Sequence, residues 1–393
     1  MASILVTDGL ERAALATCRS LVARGDEVHV STSVRHSLAG VSRRVREHVI
    51  EEEPVAHPEG FARAIGVLAR RVGARVLLPI SDPAVMAILT HPEHVPPGCV
   101  VPFAPLEAFR RASDKVGLLP VAQLAGFAIP ESTVVLTPED ALDVELAPFL
   151  PGVLKPHRSV VQVGRSQRRL NVVWLETVEQ GRRLLSAMPR EAYPVLVQRR
   201  IDGPAVGFFA LRWDGQIRAT FAHRRLREIP PTGGVSVYRE SIAIDPVLDA
   251  AGRQLLEALG WHGVAMVECK QEATSGKYYV IEINARFWGS LQLAIDAGVD
   301  FPRLLAEHAL GEPESAVQPY RVGIRSRWLW GEMDHAYLQV KLRKHGVSAL
   351  RALLVAMSGM ANHVPARDRC EILRLKDPLP FLVETLRRFK LLR

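Results

Sequence analysis

The alternation of strand and helix through the first hundred residues constrains the fold most strongly. Apolar, β-prone runs at 3–9, 26–32 and 74–81 predict strands, and amphipathic segments at 10–25 and 60–73 predict helices between them. Strands separated by helices of this length are typical of a parallel, doubly wound sheet. The sequence therefore predicts an N-terminal α/β domain. No GxGxxG motif follows the first strand, so we expect no dinucleotide cofactor there.

The rest of the chain divides by pattern. With 393 residues, 48% of them hydrophobic, the chain is large enough for two or three domains. A proline-rich stretch at 91–105 marks the first boundary. We predict an N-terminal α/β domain (1–110), an α+β segment (111–195), a strand-rich α+β segment (196–312) and a mostly helical C-terminal extension (313–393).

Composition and charge exclude several classes of protein. The net charge is +8, but no zinc finger, helix-turn-helix or RNP-like pattern accompanies it, so a solvated basic surface explains it better than nucleic-acid binding. No apolar run reaches the roughly 18–20 residues that span a bilayer; the best, at 349–361, contains Arg351. The start of the chain lacks the pattern of a signal peptide. Four widely spaced cysteines without a CxxC pair are typical of a reducing compartment, so we expect a soluble cytoplasmic protein.

The final segment, "PFLVETLRRFKLL", has the pattern of an amphipathic helix. Leu382, Leu386 and Phe389 share one face, and basic residues lie elsewhere. We expect this segment to pack on the body of the protein rather than to lie on a membrane.

A polar row inside an apolar strand is the first sign of chemistry. In "YYVIEINARFWGS", Glu282 and Asn284 are two residues apart and point to the same face of a strand, and Arg286 continues the row. A second predicted strand, "GVAMVECK", carries Glu268, which pairing of the two strands would bring towards Glu282. Such oxygen donors suit Mg²⁺ or Mn²⁺ shared with nucleotide phosphates. The alternative for this strand alone is a surface ion pair between Arg286 and Glu282.

Cations elsewhere offer partners for phosphates. Lys115 lies in "SDKVG", and Lys155 ends the apolar strand of "GVLKPHRSV". "VLVQRRIDG" at 195–203 reads as a strand that runs into a linker, and "FAHRRLREIPPTGG" at 221–234 reads as an arginine-rich loop. P-loop, HExxH and GxSxG motifs are absent.

In this order, the segments resemble the ATP-grasp enzymes, specifically the carbamoyl-phosphate-synthase-like and carboxylate–amine ligase branch. The resemblance runs from about residue 110 to 310 and is most specific in "EINARFWGS". It implies an ATP-grasp fold: a Rossmann-like N-terminal α/β domain, two α+β ATP-grasp subdomains and a helical C-terminal segment.

The resemblance also implies roles for individual residues. The ligands of one or two Mg²⁺ (or Mn²⁺) ions that bridge the ATP phosphates are Glu268, Glu282 and Asn284. The remaining ATP contacts come from two lysines and the adenine-binding hinge, namely Lys115, Lys155, Gln198, Arg199 and Ile201. The catalytic arginines are Arg286, which would hold the acceptor oxygens or the γ-phosphate, and Arg225, with Arg224 and Arg227 as alternatives to Arg225.

Two departures from the family pattern carry expectations. The loop after Lys155 lacks the frequent glycine-rich flap, so the side chains of Arg158 or Ser159 are expected to make its phosphate contacts. Gln198 stands where many members have glutamate.

The implied function is an ATP-dependent ligase. The enzyme would phosphorylate a carboxylate to an acyl phosphate, which an amine then attacks to give an amide, ADP and phosphate. A bicarbonate-using carboxylase or carbamoyl-type enzyme is the alternative enzyme, and a silent nucleotide-binding regulator is the alternative without catalysis. The expected partners are a small carboxylic acid and an amine, and the family often forms homodimers. The arginine-rich segment 221–228 suggests an acidic substrate.

Overall fold

A computed structural model describes residues 1–158, 160–163, 166–231, 233–342 and 368–392. Ser159 and the apolar stretch at 349–361 lie outside these residues. Within the described ranges, no helix is long and apolar enough to cross a membrane. The architecture combines α/β and α+β units, as the sequence predicts.

The N-terminal domain is a parallel four-stranded sheet in the order β3-β2-β1-β4. The first helix ends at Gly25, whose φ of 99° lies in the left-handed region that glycine adopts most easily. The edge strand β3 was not predicted, because its sequence VREHV is mostly polar and only part-buried. The elements are β1 (Ser3–Val6), α1 (Arg12–Arg24), β2 (Glu27–Thr32), β3 (Val45–Val49), α2 (Pro58–Arg71), β4 (Val76–Leu78) and α3 (Asp82–Thr90).

Two short helices lead into a second sheet, which is antiparallel and has the order β5-β10-β6-β9. A separate antiparallel hairpin, β7–β8, follows β6 in the chain. The elements are α4 (Leu106–Ser113), α5 (Leu118–Leu124), β5 (Ser132–Val135), β6 (Gly152–Pro156), β7 (Val160–Val163), β8 (Ser166–Arg169), β9 (Val173–Leu175), α6 (Val178–Ala187) and β10 (Val195–Arg199).

The third sheet has seven strands in the order β15-β14-β11-β12-β13-β16-β17. All its neighbours are antiparallel except β16 and β17. Its elements are β11 (Ala205–Trp213), β12 (Gln216–Ile229), β13 (Val235–Ser241), α7 (Pro246–Ala258), β14 (Gly263–Gln271), β15 (Tyr278–Asn284), α8 (Leu291–Ala297), α9 (Phe301–Leu310), β16 (Arg325–Arg327), α10 (Leu329–Leu342), β17 (Asp368–Cys370) and α11 (Leu379–Arg388).

The C-terminal extension is mostly helical in its described part, but β16 and β17 also lengthen the large sheet. Helix α11 packs on the body of the protein, as expected. Val383 is buried, and the ring of Phe389, which follows the helix, lies 5.5 Å from that of Trp330. Leu382, on the predicted apolar face, is 51% exposed. Glu384, next to Val383, accepts a hydrogen bond of 2.6 Å from the indole Nε1 of Trp328, which adds a polar contact to this packing.

The hydrophobic cores separate the small sheet from the rest. One core is continuous from the N-terminal sheet into the large sheet. The small sheet has its own core around residues such as Leu154, Leu175 and Val197. A sheet with its own core can move as one body. The division of the chain at residues 110, 195 and 312 stays a proposal.

Candidate functional site

The two carboxylates of the predicted metal site lie directly opposite each other. Strands β14 and β15 pair antiparallel, with Glu268 in register with Glu282 and Met266 in register with Asn284. Side chains in register across such a pair have Cβ atoms about 5 Å apart. The strand pairing that the sequence analysis assumed is therefore present, and it brings Glu268, Glu282 and Asn284 together.

The two carboxyl groups have different electrostatic surroundings. Burial raises the pKa of Glu268, and the charge of Glu282 raises it further, although Arg225 opposes both effects. Burial also acts to raise the pKa of Glu282, but Lys115 and Lys155 outweigh it and hold that pKa below its ordinary value. The pair is thus a crowded acidic site with Lys115 and Lys155 on its Glu282 side and Arg225 on its Glu268 side.

Both predicted lysines lie beside this pair. The Nζ atom of Lys115 is 3.4 Å from Oε2 of Glu282. Lys155 is buried and donates a hydrogen bond of 2.7 Å to Oε1 of Gln198. Because burial removes the Lys155 ammonium from water, its pKa falls to about 8, while the nearby Glu282 opposes the fall.

The arginine-rich segment is a strand rather than the expected loop, because β12 runs through Ile229 and pairs with β13. Alternation along a strand sends Arg224 and Arg225 to opposite faces. Arg225 contacts Glu268 and donates to Glu228 at 3.0 Å. Arg224 bonds instead to Glu240, and Arg227 bonds to Glu332. Of the three alternatives, Arg225 contacts the acidic pair.

Arg286 continues the polar row, as expected, but does not pair with Glu282 in this structure. Its guanidinium donates to Oδ2 of Asp82 at 3.0 Å and to the carbonyl oxygen of Phe287 at 2.8 Å. Although burial acts to lower its pKa, Asp82 outweighs that effect and raises the pKa above the ordinary value. The Asp82 contact joins the N-terminal domain to the end of β15.

Two cavities meet at this row. One, of about 860 Å³, lies between the small and large sheets and is lined by the hinge residues Gln198, Arg199 and Ile201. The other, of about 1320 Å³, lies against the N-terminal domain and is lined by Asp82 and His57. Among the described residues, four line both cavities: Glu282, Asn284, Arg286 and Gly289. After the roles that we propose for them below, we call the smaller cavity the nucleotide cavity and the larger one the acceptor cavity.

Comparison with known proteins identifies the fold. Residues 191–332 match the family model described as "ATP-grasp in the biosynthetic pathway with Ter operon". L-amino acid ligase from Bacillus licheniformis superposes with a TM-score of 0.62 at 16% identity, over 81% of this chain and 78% of that one. N5-carboxyaminoimidazole ribonucleotide synthetase in its ADP complex gives 0.65 at 15% identity, over 91% and 96%. The chain has the ATP-grasp fold.

A biotin carboxylase from Campylobacter jejuni is similar to the same extent, with a TM-score of 0.63 at 15% identity over 82% of this chain and 74% of that one. Ligases and carboxylases therefore resemble the chain about equally. The structural superpositions establish the ATP-grasp fold, whereas identities of 15% and 16% do not establish the reaction.

The oxygen donors of Glu268, Glu282 and Asn284 fit a magnesium ion. Within the described ranges, no cluster of three or more His, Cys, Asp or Glu residues could hold a metal ion. Two carboxylates and one amide are what Mg²⁺ uses when phosphate oxygens and water complete its shell. The charge of Glu282 helps to raise the pKa of Glu268, and a bound divalent cation would remove this repulsion between the two carboxylates.

Sequence reasoning missed several residues of the site. Asp82 follows a predicted strand directly, and residues at the carboxyl ends of parallel strands often face ligands, so a signal for it existed. Arg12, Ser236 and Trp288 also line the nucleotide cavity. Arg12 and Ser236 carry no motif, because their proximity depends on the packing of distant segments, whereas Trp288 lies within "EINARFWGS" but was given no role. Arg158 lines the acceptor cavity, whereas Ser159 lies outside the described residues.

Proposed function

We propose that this protein is an ATP-dependent ligase that phosphorylates a carboxylate and couples it to an amine. The observation that carries the proposal is the Glu268–Glu282 pair, with Lys115, Lys155 and Arg225 around it, at the junction of two cavities. One cavity suits a nucleotide and the other a second reactant. The similarity to an L-amino acid ligase supports an amine as the final acceptor.

The nucleotide cavity offers a base-binding end and a phosphate-binding end. Gln198, Arg199 and Ile201 would hold the adenine at the hinge. Lys155 bonds to Gln198 of the hinge, and Lys115 lies beside Glu282 on the side of the acceptor cavity; both would bind phosphate oxygens. Glu268, Glu282 and Asn284 would hold Mg²⁺, which when bound neutralises charge on the phosphates.

The residues beyond the metal site would act on the acid substrate. Arg286 lines both cavities and would orient the carboxylate towards the γ-phosphate. Arg225 would stabilise negative charge that develops during phosphoryl transfer, because its guanidinium already lies beside Glu268. These residues would act by positioning the reactants and by neutralising charge. The amine then attacks an acyl group that phosphorylation has already activated.

Water must be kept from the acyl phosphate. Residues of the small sheet, including Trp174, cover one wall of the nucleotide cavity. Since this sheet has its own hydrophobic core, we propose that it closes over the site as a lid.

The test traps the intermediate. The protein is incubated with ATP, Mg²⁺ and pools of carboxylic acids, with hydroxylamine in place of the amine, and hydroxamate and ADP are measured. We expect one pool to give both products in equal amounts, and Glu282→Ala to give neither. A parallel reaction with bicarbonate as the only acid tests the carboxylase alternative.

The outcomes separate the candidates. ADP release with bicarbonate alone would favour the carboxylase. Binding of ADP without turnover in any pool would favour the silent regulator. Hydroxamate formation that persists in Glu282→Ala would contradict the assigned site.

A further inference from the structure

One end of the nucleotide cavity has hydrogen-bond donors that the proposed chemistry does not use. Trp288 is 2% exposed and Ser236 is 7% exposed. Both line the cavity, and neither the indole Nε1 of Trp288 nor the Oγ of Ser236 has a hydrogen-bond partner among the described residues. Arg12 of the N-terminal domain lines the same end. A buried polar group without a partner is unfavourable unless a ligand supplies one.

Contacts behind the cavity wall join these groups into one cluster. Arg12 donates to Oε2 of Glu371 at 2.7 Å, and Glu371 also pairs with the fully buried Arg239. Arg239 in turn donates to the carbonyl oxygen of Ser236 at 3.1 Å. The Arg12 guanidinium therefore has a fixed position, held by a residue of the C-terminal extension.

The Arg12 side chain also fits closely against the loop that follows β15. Its Cζ lies 4.2 Å from the centre of the Trp328 ring, a cation–π contact. A Cβ built on Gly289 would lie 3.1 Å from Nη2 of Arg12. Glycine at this position therefore leaves room for the guanidinium next to Trp288.

The cluster has an excess of positive charge. Two arginines, Arg12 and Arg239, face one carboxylate, Glu371, whose pKa stays low because the arginines outweigh its burial. A second carboxyl, Glu384, lines a small groove together with Arg12, but burial raises its pKa to about 7, so it is partly neutral at physiological pH. Because two arginines share one buried carboxylate, an anionic ligand beside Arg12 would be favoured.

The order of residues along β14 and β15 shows where this end of the nucleotide cavity lies relative to the hinge and the carboxylates. Lys270 bonds to Gly203 at the hinge, Glu268 follows towards the N-terminal end of the strand, and Met266 lies opposite Asn284. Trp288 follows Asn284 by four residues. Trp288, and Arg12 beside Gly289, therefore lie beyond the carboxylates, on the side away from the hinge, where the acid substrate would lie.

Resting on the proposed function, we infer that the acid substrate carries a second anionic group, bound by Arg12, the indole N–H of Trp288 and the hydroxyl of Ser236. Arg286 is already assigned to the reacting carboxylate. Glu371 is a positioning residue, because it contacts Arg12 and not the cavity. The substrate class is thus a dicarboxylate or another acid with two anionic groups.

The test compares acids of equal chain length. ADP release is measured with ATP, Mg²⁺ and pooled amines, using succinate against butyrate and glutarate against valerate, together with aspartate and glutamate. We expect turnover with diacids and little with monoacids. Arg12→Met should raise the KM for the diacid about 10- to 100-fold, the range for a lost hydrogen bond to a charged group. ADP affinity should change less than about twofold.

Controls separate binding from folding. Arg24→Met removes an arginine from the other end of α1, where it pairs with Asp26 and Glu312, and should leave the KM unchanged. Arg12→Lys keeps the charge but loses the planar fork, so it should restore part of the diacid preference. Glu371→Gln should raise the KM with little effect on kcat, a split that a merely structural role would not give.

Each remaining outcome is decisive. Equal use of monoacids and diacids, or an unchanged diacid KM in Arg12→Met, would overturn this inference and leave the ligase intact. ADP binding without turnover on any acid would overturn the ligase, and with it the inference.

Discussion

Lys155 gives a prediction that can be tested without knowledge of the substrate. Its ammonium is buried, and its hydrogen-bond acceptor, Gln198, is neutral. The pKa therefore falls from 10.5 to about 8. Nucleotide phosphates bound beside it would favour the charged form and raise this pKa again. Binding of ADP above pH 8 should then be coupled to proton uptake by Lys155.

The size of the uptake follows from the two pKa values. With a free-protein pKa of about 8, roughly one quarter of the lysine is protonated at pH 8.5, so binding takes up about 0.75 proton. At pH 6.5 the lysine is already charged, and its contribution should be near zero. The same shift makes wild-type stability rise with pH between about 8 and 10.5, because only the unfolded chain holds the proton in that window.

Isothermal titration calorimetry measures the uptake. ADP with Mg²⁺ is titrated at pH 8.5 in buffers that differ in ionisation enthalpy, and the slope of the observed enthalpy gives the protons bound. Lys155→Met supplies the control, because it removes the titrating group and keeps an aliphatic chain. An uptake that is the same in the wild type and in Lys155→Met, or no uptake at pH 8.5, would refute the reasoning.

Three further changes test separate parts of the structure. Arg225→Met should lower the free energy of unfolding by about 3–5 kcal/mol, because it leaves the carboxylates of Glu228 and Glu268 without this partner. Arg224→Met, at a side chain that is 51% exposed, should change it by less than about 1 kcal/mol. Equal losses for the two variants in urea titrations would contradict the assignment. Gly203→Ala should lower the free energy of unfolding by about 1–3 kcal/mol, because the new Cβ would lie 1.9 Å from the carbonyl oxygen of Gln271. Thermal or urea unfolding measures the loss, and an unchanged stability would show that the backbone there moves to make room. Burial raises the pKa of Glu384 from 4.5 to about 7, so between these pH values the native state holds a proton that the unfolded chain has lost. The free energy of unfolding should therefore fall as the pH rises from 4.5 to 7. Glu384→Gln should flatten this dependence, and an unchanged pH profile in the variant would refute the explanation.

Local periodicity made much of the fold and part of the site predictable. The period of two along a strand put Glu282 and Asn284 on one face, and the structure pairs that face with Glu268. The alternation of strands and helices likewise predicted the parallel N-terminal sheet. These features depend on neighbours in the chain, which a single sequence shows directly.

Features set by tertiary packing were not predictable. Register irregularities around Arg225 and Arg227 help decide which arginine reaches Glu268, and no local pattern marks them. The pair of Arg12 with Glu371 joins residues 359 positions apart. The hydrogen bond between Glu384 of α11 and Trp328 likewise joins distant positions, and the apolar pattern of the helix does not mark it.

The central claim is that the γ-phosphoryl group passes through an acyl phosphate at the site formed by Glu268, Glu282 and Arg286. The most direct measurement uses the acid found by the hydroxamate screen, with ¹⁸O in its carboxylate, in a complete reaction with ATP, Mg²⁺ and amine. The account predicts that one labelled oxygen appears in each phosphate released, because the acyl phosphate breaks at its carbon–oxygen bond. Amide and ADP formed with unlabelled phosphate would contradict it.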